Sequence, residues 1–315
     1  MPTSPAINLV QPTQNQHIII LPYYSDEEVD RYLKIAERIK TFPQPKSKIH
    51  FLLANSPKRE PSQRLREAFQ GIAPCTLFAC PSQVFGYPQG PTAMYWDTME
   101  YIAENFAGNE GFSLWLESDM APVKENWIDR LSDEWFSGET PLMMGCYVPD
   151  VYKHRIFRKP KLLLNAHVNG GACYACDFAK RMPKEARTGV FDMAVYQYAA
   201  KLDRVRQTRQ IAFSTLDRVR RDVADPNKVL LHGSMQEKDS FIEQCLAPIS
   251  QQELQHKRWH QIQEHIEYLK RRVRVQFVRR GHRAMLENMM IAKKRLEDQQ
   301  DELAEQNSRS QPMAA

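Results

Sequence analysis

Residues 17–24 read His-Ile-Ile-Ile-Leu-Pro-Tyr-Tyr, and Ser25-Asp26-Glu27-Glu28 follows at once. An Ile-rich run without polar alternation is the pattern of a strand covered on both faces. A serine followed by three acids is the pattern of a helix start. The hydroxyl accepts from the open amides of the first turn, and the acids face the positive end of the helix dipole. The pair predicts a strand passing directly into a helix that runs to about Lys40. A strand buried on both faces needs a layer of structure on each side, which excludes most small all-β and all-α arrangements.

The alternation continues. Residues 49–54 and 76–79 read as second and third strands, and the turn at 86–91 leads into a helix from about Thr92 to Asn105. Residues 112–116 form a fourth apolar strand that ends on Glu117-Ser118-Asp119, followed by a helix at 127–135 and a strand at 142–148. Strands separated by helices predict an α/β fold with a mostly parallel, doubly wound sheet. Ligands of such sheets sit beyond the carboxyl ends of the strands, so the residues just past each strand are the candidates for chemistry.

Glu117 and Asp119, one residue apart at such an end, are the most informative of these. At that spacing both carboxylates can turn toward the crevice, where their repulsion calls for a cation between them. Oxygen ligands select a hard divalent ion, Mg²⁺ or Mn²⁺. The bland reading is that Ser118-Asp119 caps a turn.

The segment from Leu114 to Leu131, with Pro122 and Trp127 after the acids, resembles the signature of GT-A type glycosyltransferases in its E-x-D variant. Residues 167–174, with Asn169-Gly170-Gly171, are similar to that family's Gly-rich turn beside the donor sugar. Residues 229–234 resemble its late strand ending in His-Gly. The resemblance spans roughly residues 15–247. It implies a nucleotide-sugar transferase in which Glu117, Asp119 and His232 hold a divalent metal, with Glu117 also within reach of the ribose. Asn169 and Gly170 would line the donor pocket, and Lys238 would neutralise the leaving diphosphate. Tyr23 would stack on the base and Asn55 would sit at the ribose. Asp192, at a helix start, would be the general base; its other reading is an N-cap.

The cysteines and the charge add boundaries. Six Cys are scattered through 315 residues, and Cys173-Tyr174-Ala175-Cys176 has no second pair at zinc-site spacing, so buried thiols are the ordinary reading. No P-loop, G-x-G-x-x-G or nucleophile motif occurs. No apolar stretch near the N-terminus approaches the roughly 20 residues of a membrane helix, and no leader pattern opens the chain, so a cytoplasmic location without a transmembrane segment is expected. Lys and Arg total 43 against 38 Asp and Glu, but residues 251–296 hold twelve basic residues against four acidic ones, a net of +8. Helical periodicity through Trp259, Ile262, Ile266, Leu269 and Val273 makes this a basic helical extension, followed by an acidic stretch.

These features divide the chain into a flexible 1–14, a catalytic body at 15–247, an extension at 248–305 and a disordered 306–315. The extension reads either as a helical pair that packs on the body or forms a homodimer, or as a footprint for DNA or another polyanion. A polyanion as platform suggests a hydroxymethylated base in DNA as acceptor. A cell-surface glycan or glycolipid is the alternative, and a non-catalytic nucleic-acid or partner-binding scaffold the rival from another class. The duplicated Leu-Asp-Arg-Val-Arg at 202–206 and 216–220 supplies arginines expected near the crevice mouth.

Overall fold

A computed structural model of the protein describes residues 15–148, 167–187, 190–202, 204–233 and 237–250. The chain begins with β1 (His17–Tyr23), α1 (Asp26–Lys40), β2 (Ile49–Asn55), α2 (Gln63–Gln70), β3 (Cys75–Ala79), α3 (Gln89–Asn105) and β4 (Phe112–Trp115). Next come β5 (Met120–Pro122), α4 (Trp127–Trp135), β6 (Met143–Gly145), β7 (Tyr147–Val148), β8 (His167–Val168) and β9 (Cys173–Ala175). The remainder is α5 (Phe178–Arg181), α6 (Phe191–Lys201), β10 (Val205–Gln207), β11 (Ile211–Phe213), α7 (Val219–Ala224), β12 (Leu230–His232) and α8 (Lys238–Leu246).

Seven strands form one sheet in the order β10-β6-β9-β4-β1-β2-β3. Every neighbouring pair is parallel except those of β9, which runs against both β4 and β6. The mostly parallel α/β sheet expected from the alternation is therefore what the chain forms. A second sheet, β11-β12-β5, pairs β12 parallel to β11 and antiparallel to β5.

Two cores explain the unbroken apolar run of β1. Ile19, Leu21 and Tyr23 pack with Tyr32 and Ile35 of α1 and with Leu65 and Phe69 of α2. Ile18 and Ile20 point the other way, among Met94, Met99 and Ile102 of α3 and Val195 of α6. Each such fully buried side chain contributes roughly 1.5–3 kcal/mol. At the start of α1, the Ser25 hydroxyl accepts from the Glu28 amide at 3.3 Å and the Glu28 carboxylate accepts from the Ser25 amide at 3.2 Å. This reciprocal pair fixes the exit of β1 at the crevice.

Two elements differ from expectation. The strand read at 142–148 is divided at Cys146 into β6 and β7, which belong to different sheets. Helix α2 has no clear periodic signal in the sequence, because only Leu65 and Phe69 are buried among its eight residues. Its signal is the Ser62 hydroxyl, which accepts from the Leu65 amide at 3.3 Å. Cys173 and Cys176 are free and buried; burial pushes the Cys176 thiol up to about 12 and raises that of Cys173 well above its ordinary value, so neither supplies a thiolate. Among the described residues no helix is long and apolar enough to cross a membrane. The basic segment 251–296 lies outside the described residues.

Candidate active site

A cavity of about 450 Å³ opens at the carboxyl ends of the parallel strands. Pro22 and Tyr24 come to it from the end of β1, Trp115, Glu117, Ser118 and Asp119 from the end of β4 and just beyond, and His232 and Gly233 from the end of β12. Asn169 reaches it from the turn before β9, Phe191 and Asp192 from the start of α6, and Lys238 from the start of α8.

Its most polar corner is built by strand pairing. The antiparallel register of β12 on β5 sets His232 opposite Met120, and the Gly233 amide donates to the Asp119 carbonyl at 2.8 Å. His232 Nε2 thus stands 3.2 Å from Glu117 Oε2 and 3.3 Å from Asp119 Oδ1. Lys238 Nζ lies 2.9 Å from Asp119 Oδ2. Further back, the Ser214 amide donates to the His232 carbonyl at 2.8 Å. The Ser214 hydroxyl bonds the buried Asp222, which in turn pairs with Lys228 at 2.8 Å. Tyr32, fully buried, places its hydroxyl 2.7 Å from the Leu116 carbonyl and 3.0 Å from that of Pro22, clamping β4 to β1 just before Glu117.

The electrostatics of this corner call for positive charge. Burial pulls the His232 imidazolium toward deprotonation, but the neighbouring Asp119 and Glu117 carboxylates outweigh it and push His232 up to about 10. Burial likewise opposes ionisation of Asp119, yet His232 and Lys238 hold its carboxyl well below the usual range. Asp119 Oδ1 is buried and forms no hydrogen bond. One ligand atom each from Glu117, Asp119 and His232 falls within 4.8 Å of the others. Two carboxylates and an imidazole converging on one point fit a divalent cation.

Glycine is required where the β9 turn meets this corner. A Cβ on Gly170 would stand 2.7 Å from the Phe191 ring and 3.0 Å from Glu117 Oε1, and one on Gly171 would stand 2.2 Å from Met120 Sδ. The Asn169 side chain accepts from the Gly171 amide at 3.3 Å, holding the turn.

Seven of the residues singled out from the sequence thus come together: Glu117, Asp119, Asn169, Gly170, Asp192, His232 and Lys238. Asp192 is not an N-cap, since Val190 occupies that position; its carboxylate lies 3.5 Å from His167 Nε2. Tyr23 and Asn55 stand away from the cavity. Tyr23 shares the strand parity of Ile19 and Leu21, is buried in the core, and its hydroxyl accepts from the Ser62 amide at 2.9 Å. Asn55, fully buried, donates to the Arg59 carbonyl at 2.8 Å. Tyr24, one residue on, lines the cavity, and its buried hydroxyl has no hydrogen-bond partner. The period-two alternation of β1 was the signal for choosing it over Tyr23.

The duplicated arginines also lie elsewhere. Arg206 donates to the Trp135 and Glu139 carbonyls at 3.1 and 2.7 Å, and Arg220 to those of Gln244 and Ala247 at 2.7 and 3.0 Å. They close helix ends instead of lining the crevice.

Fold and site define an α/β protein with an acidic, metal-competent crevice at the ends of its parallel strands. Several solved structures are similar in layout. The galactosyltransferase LgtC, solved with donor and acceptor sugar analogs, is 12% identical, with a TM-score of 0.45 over 75% of this chain and 98% of its own. A glycosyltransferase involved in the glycosylation of the major capsid of PBCV-1 is 12% identical, with a TM-score of 0.42 over 73% and 98%. The enzyme 4-diphosphocytidyl-2C-methyl-D-erythritol synthase is 11% identical, with a TM-score of 0.44 over 74% and 99%. No protein-family model matches the chain, and no curated protein matches its sequence.

Proposed function

We propose that the protein is a metal-dependent glycosyltransferase that moves a sugar from a nucleotide diphosphate donor to an acceptor hydroxyl. The observation that carries this reading is the convergence of Glu117, Asp119 and His232 on one point, with Lys238 alongside, at the strand ends. Mg²⁺ or Mn²⁺ held by these three side chains supplies positive charge for a diphosphate.

The remaining chemistry falls to the chain's own residues. Breaking the bond from the anomeric carbon to the diphosphate leaves the electron pair on a phosphate oxygen. Lys238, at the first position of α8, offers a charge-assisted hydrogen bond to that oxygen. In an inverting course, Asp192 takes the proton of the acceptor hydroxyl as its oxygen bonds to the anomeric carbon. Trp115 and Phe191, with ring centroids 5.8 Å apart, both line the cavity and give it an apolar wall. Tyr24, directly after β1, lines the cavity and is the residue we assign to the base side in place of the buried Tyr23.

Calorimetry with UDP and GDP, with and without Mn²⁺, tests the reading on wild type and Asp119→Asn. Metal-dependent binding of one nucleotide, lost in the variant, is the expected result. Equal binding by the variant overturns the donor site. Binding of neither nucleotide, together with release of pyrophosphate from a nucleoside triphosphate, assigns the site to nucleotidyl transfer.

A further inference from the structure

The cavity walls differ sharply in charge and in polarity. Four carboxyl groups line it, from Glu28, Glu117, Asp119 and Asp192, against two basic side chains, Lys238 and His232, among its described lining residues. Proteins that hold nucleic acid meet its phosphates with several Lys and Arg. A polyanion entering this cavity would instead bring its phosphates against carboxylates and a donor diphosphate.

The rim carries two open aromatic rings. Tyr87, on the segment leading into α3, is 74% exposed, and Phe213, at the end of β11, is 37% exposed; both line the cavity. Phe213 pairs in register with His232, and their ring centroids lie 6.0 Å apart, so an open ring stands directly beside the metal corner. Small-ligand pockets are lined largely by apolar and aromatic side chains, with a few polar groups that orient the ligand. The ligand that suits such a rim has one apolar face and a hydroxyl that the Asp192 carboxylate can accept from, and carries no negative charge.

Building on the transferase reading, we propose that the cavity mouth takes its acceptor as an uncharged pyranose, seated on Tyr87 and Phe213 with a hydroxyl toward Asp192. A hydroxymethylated base in DNA is disfavoured by the same lining.

Saturation-transfer NMR on the full chain tests this, with Mg²⁺ and with UDP or GDP present and absent. The probes are neutral methyl pyranosides, a methyl glucuronide and a duplex containing hydroxymethylcytosine. The expected result is transfer to ring C–H protons of a neutral glycoside, weakened roughly tenfold by Tyr87→Ala or Phe213→Ala and retained by Tyr87→Phe. The glucuronide and the duplex should bind at least about tenfold more weakly. Absence of transfer to every neutral glycoside overturns the proposal, as does binding unchanged in both alanine variants or preference for the duplex. Both substituted side chains are exposed, so a folding defect does not mask the outcome. Should glycoside binding fail while the Asp119-dependent nucleotide site persists, the acceptor assignment falls alone; loss of the nucleotide site as well removes the transferase reading.

Discussion

His232 stands opposite Met120 across the β12–β5 ladder, and this register is what brings an imidazole within 3.3 Å of Asp119. A slip of one residue would turn His232 to the other face of the sheet and empty the corner. The geometry of the site is therefore a property of one short strand pair and of the contacts that hold it.

Tyr32 is the contact that fixes the opposite side. Tyr32→Phe removes the hydroxyl between the Leu116 and Pro22 carbonyls while keeping the ring in the core. Two buried carbonyls then lose a donor, and stability should fall by about 1–2 kcal/mol in denaturant unfolding. Mn²⁺ affinity should drop roughly tenfold in the same protein, because Glu117 follows directly on the released carbonyl.

Gly170→Ala should separate folding from binding. The added methyl meets the Phe191 ring at 2.7 Å and Glu117 Oε1 at 3.0 Å, so either the α6 start or the carboxylate must shift. A stability loss of about 1–3 kcal/mol is expected, with a larger proportional loss of metal-dependent nucleotide binding. Unfolding curves and calorimetry on one sample check both.

Asp192→Asn should leave donor binding intact and lower transfer at least about 100-fold, the range of a positioned general base. Isothermal titration with the nucleotide and turnover on the acceptor, measured side by side, distinguish this from a disrupted pocket. Equal turnover by the variant would remove Asp192 from the reaction.

Acid should destabilise the fold through two histidines remote from the crevice. Burial pushes His17 down to about 4, partly offset by Asp129, and burial alone pushes His50 down to about 4. The unfolded chain binds protons at about 6.5, so stability is fully present above that pH and declines as the pH falls to about 4. Each histidine accounts for up to roughly 3 kcal/mol of that decline. Glu28 acts in the opposite sense, since burial raises its carboxyl in the folded state and favours the protonated fold. Denaturant midpoints between pH 7 and pH 4 should fall overall; a flat profile would show that the two histidines do not outweigh Glu28.

The residues that end apolar runs were legible in the sequence. Glu117, Asp119 and His232 each follow a strand whose hydrophobicity announces it, and topology then places those ends together. Tyr23 and Asn55 were harder, because a strand end offers two side chains on opposite faces and only the packing of α1 and α2 decides which is buried. Tyr32 carried no local signal at all: its hydroxyl matters only because β4 lies beside β1. The arginines of the repeated pentapeptide misled for a related reason. Sequence shows their charge but not the carbonyls that Arg206 and Arg220 turn out to cap.

The pairing of β5 with β12 also has a temporal side. Glu117 and Asp119 leave the ribosome long before His232, and β5 has no other strand partner among the described residues. During synthesis the two acids wait without the imidazole, so a truncated or half-made chain cannot complete the three-ligand corner. The corner is complete only when the last strand of the second sheet slots in, which ties its assembly to the near-completion of the body.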